Sequence, residues 1–451
     1  MKIFVSLLRF SLVLGLLALA GSPLGAAELA PVPTAALPKT DANGNPLRRA
    51  PTGHVSNYDE SRVGTYTLPD PLVLQSGQPV RDADTWFQQR RPEILKLYET
   101  EIYGRVPERV PKVTFKVVET DSEALGGMAV RKLIVARFGE RPDSPTVNLH
   151  LYLPAQAPGR VPVLLHLVFF TPAIAGKSDA AFLAPTAPAP GARTFPREIG
   201  PVAEILARGY GYATFRYSEI QPDNATTGPS GVQALAYAPG QTKPAADEWG
   251  TISAWAWGTS RLLDYLATEP AVDARRVALV GHSRLGKTVL WAGACDPRFA
   301  LVFSSCSGEM GAALARRDYG ETVDDMAANF GYQFSGNFQK YAGHWNDLPV
   351  DAPELMALVA PRPLFVTGGT GDQWSDPHGE FLAAVGVGPV YRLLDRKDLG
   401  TAVMPAPDAE LISGDIAFRY HEGGHTDALD WPVFLRFADR YFRTPGSVAK
   451  H

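Results

Sequence analysis

The fold is decided by one stretch of the chain, Val277-Ala278-Leu279-Val280-Gly281-His282-Ser283-Arg284-Leu285-Gly286-Lys287-Thr288. Its first four residues are apolar, which is typical of a strand buried on both faces of a parallel sheet. The turn that follows leads into a helical pattern, so the chain passes from strand to helix within a few residues. Such a turn exposes the hydroxyl of Ser283 at a helix N-terminus, a position that suits a catalytic nucleophile.

The same residues allow two other interpretations. Residues 281–288 match the phosphate-loop pattern G-x-x-x-x-G-K-T. A protein with that loop would need an Asp that holds magnesium and a compartment that contains nucleotide. The export signal described below argues against such a compartment. A strand, turn and helix without chemistry is the third interpretation. We favour the first interpretation, a nucleophile elbow, in which Ser283 lies on the sharp turn between strand and helix. Leu285 replaces the second Gly of the usual elbow pattern G-x-S-x-G, so a general lipase is not indicated.

Strands and helices alternate on both sides of this unit. Predicted strands cover residues 113–119, 130–138, 148–153, 161–169, 212–217, 276–281, 301–305, 364–367 and 417–420. Predicted helices cover residues 84–103, 196–208, 247–268, 286–295, 377–385 and 432–443. The alternation predicts an α/β fold of the α/β-hydrolase type, a three-layer sandwich whose mostly parallel central sheet carries helices on both faces. The site is expected beyond the carboxyl ends of the strands.

The N-terminus predicts export. Lys2, an apolar run at 12–20 and small residues at 25–27 indicate a cleaved signal peptide over residues 1–27, hence a secreted or periplasmic protein. Residues 28–80 are predicted to form an extended N-terminal segment, and residues 81–445 a single catalytic domain. With 20% charged residues and a formal net charge of −4, the chain is expected to bind neither nucleic acid nor anionic membranes. Cys295 and Cys306 are expected to be unpaired.

A serine nucleophile needs a base and an acid, which follow it in the order Ser, Asp or Glu, His in this fold. His425 comes after the last predicted strand and is the candidate base. Residues 421–425 also match the zinc motif H-E-x-x-H, but two adjacent glycines disfavour the helix it needs and no Glu follows Glu422 as a third ligand. We therefore expect no metal and no cofactor.

Several carboxylates could orient His425. The candidates are Asp372, Asp376, Asp347, Glu309 and Asp427. Asp372 is the best placed, because it lies in the loop after the strand at 364–367, beside the strand that leads to His425. Asp376 fits a turn or a helix cap before Pro377 better.

The elbow resembles the G-[CH]-S-R-x-G-K motif of glucuronoyl esterases, family fifteen of the carbohydrate esterases. Further segments resemble the bacterial members of that family: residues 307–314, 320–322, 348–351, 360–363 and 424–426. The resemblance covers roughly residues 85 to 445. It implies a serine-type esterase that cleaves esters between (4-O-methyl-)glucuronic acid on glucuronoxylan and lignin alcohols.

The resemblance also implies roles for single residues. Ser283 would be the nucleophile, His425 the base and Arg284 the cation on the oxyanion side. The uronoyl sugar would be held by Lys287, Glu321 and Trp374. A lysine and a glutamate can hydrogen-bond sugar hydroxyls, and an indole can stack on a sugar ring. Taken alone, Glu321 would be assigned to the surface and Trp374 to the core.

Two positions depart from the fungal branch of this family. There the acid follows the strand after the elbow helix, but that position here is Cys306, so the acid is expected at Asp372, as in some bacterial members. The fungal disulfide beside the nucleophile is also missing, because its positions are His282 and Thr426. The alternatives are an acetyl xylan or feruloyl esterase of the same fold and a non-catalytic carbohydrate-binding protein. The protein is expected to be a monomer.

Overall fold

The computed structural model describes residues 37–170, 200–226 and 230–443, and the predicted signal peptide lies outside them. Ten strands of these residues form one sheet. They are β1 (Val113–Glu123), β2 (Ala129–Phe138), β3 (Thr146–Pro154), β4 (Val161–Val168), β5 (Gly211–Arg216), β6 (Val272–His282), β7 (Leu301–Ser305), β8 (Leu364–Gly369), β9 (Glu410–Leu411) and β10 (Ile416–His421).

The sheet is parallel at its centre. The strand order is β1-β2-β3-β5-β4-β6-β7-β8-β10-β9, and the strands from β5 to β10 in this order are all parallel. β1, β2 and β3 pair antiparallel at one edge, and the short β9 pairs antiparallel with β10 at the other. The carboxyl ends of six parallel strands therefore meet at one side of the sheet, where the site was expected.

Helices connect the strands. The α-helices are Ala83–Thr85, Arg91–Leu97, Val202–Ala207, Val232–Leu235, Thr251–Thr268, Arg284–Cys295, Val323–Phe330, Ala352–Ala357, Pro377–Gly386, Gly388–Leu393 and Trp431–Phe442, with a short distorted turn at Ala124–Gly127. Among the described residues, no helix is both long enough and apolar enough to cross a membrane.

Each central strand contributes side chains to two hydrophobic cores, because successive side chains of a strand point to opposite faces of the sheet. In β6, Val277 and Leu279 pack in the larger core with the helices Thr251–Thr268 and Arg284–Cys295. Ala278 and Val280 pack in the second core with the helices Val202–Ala207 and Trp431–Phe442. The predicted three-layer α/β-hydrolase fold is confirmed.

The element boundaries differ from the prediction at several places. The helix predicted at 84–103 is broken by π-turns at Trp86–Arg90 and Tyr98–Ile102. The helix predicted at 196–208 is seen from Val202 to Ala207, and residues 196–199 lie outside the described residues. The helices Val323–Phe330, Ala352–Ala357 and Gly388–Leu393 were not predicted.

Candidate active site

A single residue makes the turn between β6 and the following helix. β6 ends at His282 and the helix begins at Arg284, so Ser283 alone joins them, with φ 58° and ψ −130°. Positive φ is strained for a residue with a side chain and is found at nucleophile elbows. A phosphate loop would instead need a wide turn of backbone N–H groups, so that interpretation of residues 281–288 is not supported.

Two glycines let the elbow turn so sharply. A Cβ atom on Gly281 would lie 2.3 Å from the carbonyl oxygen of Leu285, and one on Gly286 would lie 2.8 Å from the Cβ atom of Ser307. Larger residues at either position would push the helix away from β6 or β7. Gly286, one residue later than the usual second glycine, thus provides the close approach that Leu285 does not.

The candidate base and acid are in contact. His425 Nδ1 lies 2.7 Å from Asp372 Oδ2, and Ser375 Oγ lies 3.4 Å from the same ring nitrogen. Asp372 is buried, whereas the side chain of His425 is 38% exposed. Both follow neighbouring parallel strands, β8 and β10, as the sequence predicted. A buried carboxylate at Nδ1 fixes the tautomer whose Nε2 can accept a proton.

The three sequence-predicted sugar-binding residues form one chain of hydrogen bonds. Lys287 Nζ donates to Glu321 Oε2 at 3.3 Å, and Trp374 Nε1 donates to Glu321 Oε1 at 3.0 Å. The backbone N–H of Glu321 also donates to the Trp374 carbonyl at 2.8 Å. Each of the three contributes to the same cavity as Ser283 and His425.

Arg284 has a carboxylate partner that the sequence analysis missed. Its Nη1 lies 2.5 Å from Asp223 Oδ2, and its guanidinium packs 5.1 Å from the ring centre of Phe330. Asp223 also accepts hydrogen bonds from Tyr217 Oη at 2.5 Å and Tyr332 Oη at 2.8 Å. The signal for Asp223 was available, because it follows β5 at the carboxyl edge of the sheet.

These groups line a cavity of about 360 Å³. Its lining includes the polar group of Lys287, Glu321 and Trp374, which hydrogen bonds connect. It also includes an apolar group, whose members are Phe169, Phe170, Met326 and Phe330. Ser283 lines the same cavity, so a ligand bound there can contact the elbow and residues of both groups.

Known proteins are similar to this chain in sequence and in fold. Residues 198–395 match the family model described as "Glucuronyl esterase, fungi". Carbohydrate esterase MZ0003, from an unknown prokaryotic organism, is 41% identical over 399 residues, which are 85% of this chain and 92% of that protein. The glucuronoyl esterase structure from Solibacter usitatus is 43% identical with a TM-score of 0.76, and the match covers 84% of this chain and 99% of that one.

The chain belongs to the glucuronoyl esterases of carbohydrate esterase family 15. A fungal relative, 4-O-methyl-glucuronoyl methylesterase 1 of Phanerochaete chrysosporium, is 30% identical over 324 residues, which are 69% of this chain and 58% of that protein. The resemblance drawn from the elbow motif is confirmed, and so is the assignment as an esterase.

Two departures of this glucuronoyl esterase from the fungal pattern lie beside the candidate base. The ring of His282 lies 4.3 Å from that of His425, and burial together with His425 holds the pKa of His282 well below its usual value. A neutral His282 adds no second charge next to a protonated His425. Cys306 Sγ lies 3.9 Å from the Thr426 carbonyl oxygen, and burial and nearby carboxylates raise the pKa of this thiol.

The other carboxylates considered as the acid have different surroundings. Asp376 accepts from Arg317 Nε at 2.8 Å and from the Gly379 N–H at 2.9 Å, so it caps the helix Pro377–Gly386 as expected. Asp427 accepts from Trp431 Nε1 at 3.2 Å. Glu309 is buried, and this burial raises its pKa well above the usual value. Asp347 lies in the turn Trp345–Asp347.

The H-E-x-x-H segment does not form a helix. His421 ends β10, and its ring nitrogens lie 3.1 Å from Asp430 Oδ1 and 3.0 Å from the Gly424 carbonyl oxygen. In the described part of the chain, one other group could offer three metal ligands, namely Cys306, Asp372 and His425, whose donor atoms lie within 4.8 Å of one another. The short bond between Asp372 and His425 already satisfies two of these groups, so the residues fit an acid and base pair better than a metal site.

Proposed function

We propose that this glucuronoyl esterase hydrolyses carboxylic esters of (4-O-methyl-)glucuronic acid on glucuronoxylan through a covalent acyl-enzyme. The observation that carries the proposal is the cavity in which the Ser283 elbow and His425, held by Asp372, face the chain of Lys287, Glu321 and Trp374. The first group supplies ester cleavage, and the second supplies hydrogen bonds and a ring face for a sugar.

Catalysis would proceed in two displacements. Ser283 Oγ attacks the ester carbonyl carbon while His425 Nε2 takes the hydroxyl proton, and the tetrahedral intermediate then expels the alcohol, which receives that proton. Water attacks the acyl-enzyme next, with His425 again as the base. The carboxyl of the uronic acid is released and Ser283 regains its proton.

Arg284 would stabilise the oxyanion in both steps. Its backbone N–H is at the first position of the helix, where no partner within the helix is available. Its guanidinium is held by Asp223, which limits its motion and leaves donors for the developing charge. An oxyanion donor of this kind contributes roughly 10²- to 10³-fold to kcat.

The polar and the apolar lining residues would bind different parts of the substrate. Lys287 and Glu321 would hold the hydroxyls of the uronoyl ring, and Trp374 would contact its face. The apolar residues, among them Phe169 and Phe330, would accept an apolar or aromatic alcohol, such as a lignin alcohol. An acetyl xylan or feruloyl esterase of this fold is the alternative, but an acetyl or feruloyl group has no sugar-ring hydroxyls for Lys287 and Glu321 to bind.

The test compares initial hydrolysis rates on benzyl glucuronate, acetylated xylan and a simple acetate ester. We expect the wild type to prefer the glucuronate strongly. Ser283→Ala should abolish hydrolysis while the fold is retained. Lys287→Ala should lower kcat/KM greatly for the glucuronate alone. Activity on acetates only, unchanged by Lys287→Ala, would overturn the substrate assignment.

Export and organisation are part of the same proposal. Residues 1–27 would be removed as a signal peptide, so that residues 28–80 form the N-terminal segment and residues 81–445 the catalytic domain of a secreted or periplasmic monomer. N-terminal sequencing of the protein recovered outside the cytoplasm of its host should begin near residue 28. A mature protein that still begins at Met1 would contradict this.

A further inference from the structure

Three cations line the cavity, and one of them has no carboxylate partner in the part of the chain that the structure describes. Arg284 pairs with Asp223, and Lys287 pairs with Glu321. The guanidinium of Arg48 lies 4.5 Å from the ring centre of Trp374. In residues 37–170, 200–226 and 230–443, no carboxylate lies within 4 Å of it and no acceptor takes a hydrogen bond from its side chain. Its N–H donors therefore remain for a ligand.

The segment that carries Arg48 is fixed to the loop that carries Glu321. The side chain of Asn57 donates to the Asp318 carbonyl at 2.6 Å, and the Gly320 N–H donates to the Asn57 carbonyl at 2.8 Å. His54 Nε2 lies 2.9 Å from Asp318 Oδ1. Arg48 itself is held by its backbone N–H, which donates to Ser56 Oγ at 3.0 Å. The position of Arg48 is thus built into the fold.

Exposure to solvent increases along the row of contacting residues from Lys287 to Arg48. Lys287, one helical turn past Ser283, is 5% exposed and Glu321 is 9% exposed, whereas Trp374 is half-buried and Arg48 is exposed. The row therefore leads from the elbow to the rim of the cavity. A uronoyl ring esterified at Ser283 would occupy the deep part, and the sugar chain attached to that ring would leave past Trp374 and reach Arg48.

We propose that Arg48 is a substrate-binding residue for the glycan chain that carries the uronoyl ester, and that it favours oligosaccharide esters over single-sugar esters. This inference rests on the proposed function. The guanidinium keeps one face on the indole and offers its N–H edge to the hydroxyl and ring oxygens of the next sugar units. Small glucuronate esters end before the rim and do not contact it.

The experiment measures kcat/KM on two esters that release the same alcohol, benzyl glucuronate and the benzyl ester of glucuronic acid linked to xylotriose. Arg48→Ala should lower kcat/KM for the oligosaccharide ester about 3- to 10-fold, mainly through KM, and change that for benzyl glucuronate less than 2-fold. Arg49→Ala is the matched control, because Arg49 is an exposed neighbour whose side chain, among the described residues, hydrogen-bonds only to the Gly53 carbonyl oxygen, at 3.5 Å. It should change neither value.

The outcomes separate this inference from the proposed function. An equal loss on both esters would mean that Arg48 only holds Trp374 in place, and no loss on either would mean that the chain does not reach the rim, so both results overturn the inference. Wild-type activity on benzyl glucuronate is measured in the same assay, and its absence would overturn the proposed function instead.

Discussion

At the residue scale, the sequence was sufficient to predict the carboxylate partner of His425, but not the roles of Asp223 and Arg48. The order of serine, acid and histidine along the chain left several candidates for the acid, and the place of Asp372 in the loop after a predicted strand singled it out. Asp372 Oδ2 lies 2.7 Å from His425 Nδ1. Asp223 was missed because its loop carries no motif, and the one signal for it is its place after β5, which ends at the same edge of the sheet as β6. Arg48 has no signal in the sequence, since more than 300 residues separate it from Trp374.

The first prediction concerns the acid. Asp372→Asn should lower kcat on benzyl glucuronate by about 10²- to 10⁴-fold with little change in KM, because the amide would no longer stabilise a protonated His425 or fix its tautomer. Steady-state kinetics at neutral pH measure this. Cys306→Ser is the control and should keep most of the activity, since a protonated thiol cannot act as that carboxylate. The reverse ranking of the two variants would show that the acid is wrongly assigned.

At the element scale, buried apolar strands were predicted well and short helices held by charged side chains were not. β7 has the predicted bounds, and β8 and β10 lie within two residues of theirs. The helix Ala352–Ala357 was missed because its contacts include the buried ion pair of Arg316 with Asp351, at 3.0 Å. Charged residues are usually exposed, so a helix that is anchored by a buried ion pair is not recognised from its sequence.

The second prediction concerns the close packing of β6 against the elbow helix. Gly281→Ala should lower the free energy of unfolding by about 1–3 kcal/mol, because its Cβ atom would collide with the Leu285 carbonyl. Chemical denaturation measures this change, and activity should fall with it. Gly159→Ala is the control, since a Cβ atom there would meet nothing within 4 Å. Equal stability of the two variants would contradict the role given to Gly281.

The third prediction concerns the N-terminal cap of the helix Ala352–Ala357. Burial and the nearby Asp351 raise the pKa of Glu354 to about 8, from 4.5. Below pH 4.5 the carboxyl is protonated in both states, and above pH 8 it is ionised in both. Between these values only the folded protein holds the proton, so raising the pH disfavours folding by at most about 1.4 kcal/mol per pH unit.

Glu354→Gln should remove this contribution while its amide oxygen still accepts from the Asp351 N–H, as Glu354 Oε2 does at 3.0 Å. The stability of the wild type relative to Glu354→Gln should therefore fall as the pH rises from 5 to 8, as measured by denaturation at several pH values. The exposed Glu108→Gln should show no such trend. Parallel curves for the wild type and Glu354→Gln would rule out the raised pKa.

At the scale of the whole molecule, the alternation of strands and helices predicted the parallel sheet, and the carboxyl edge of that sheet predicted the location of the site. Six parallel strands deliver their carboxyl ends to one edge, and residues after β4, β5, β6, β7, β8 and β10 all contribute to the candidate site. The contribution of the N-terminal segment could not be predicted, because it depends on contacts such as that of Asn57 with Asp318, which no local pattern encodes.

The fourth prediction concerns that contact. Asn57→Ala should lower the free energy of unfolding by about 1–3 kcal/mol, because the change removes the hydrogen bond that the buried Asn57 side chain makes to the Asp318 carbonyl. KM for benzyl glucuronate should rise too, since the loop after Asp318 carries Glu321. Denaturation and steady-state kinetics measure the two effects. Asn43→Ala, on the exposed part of the same segment, should leave both unchanged. A similar response to the two changes would mean that the segment does not support the site.

The central claim is that Ser283 is the nucleophile of a glucuronoyl esterase. The most direct measurement is mass-spectrometric mapping of the adduct that a fluorophosphonate forms with the wild-type protein. We predict one adduct, on Ser283, that forms more slowly in the presence of benzyl glucuronate and does not form in Ser283→Ala. An adduct on another residue, or labelling that the glucuronate ester does not slow, would contradict the account.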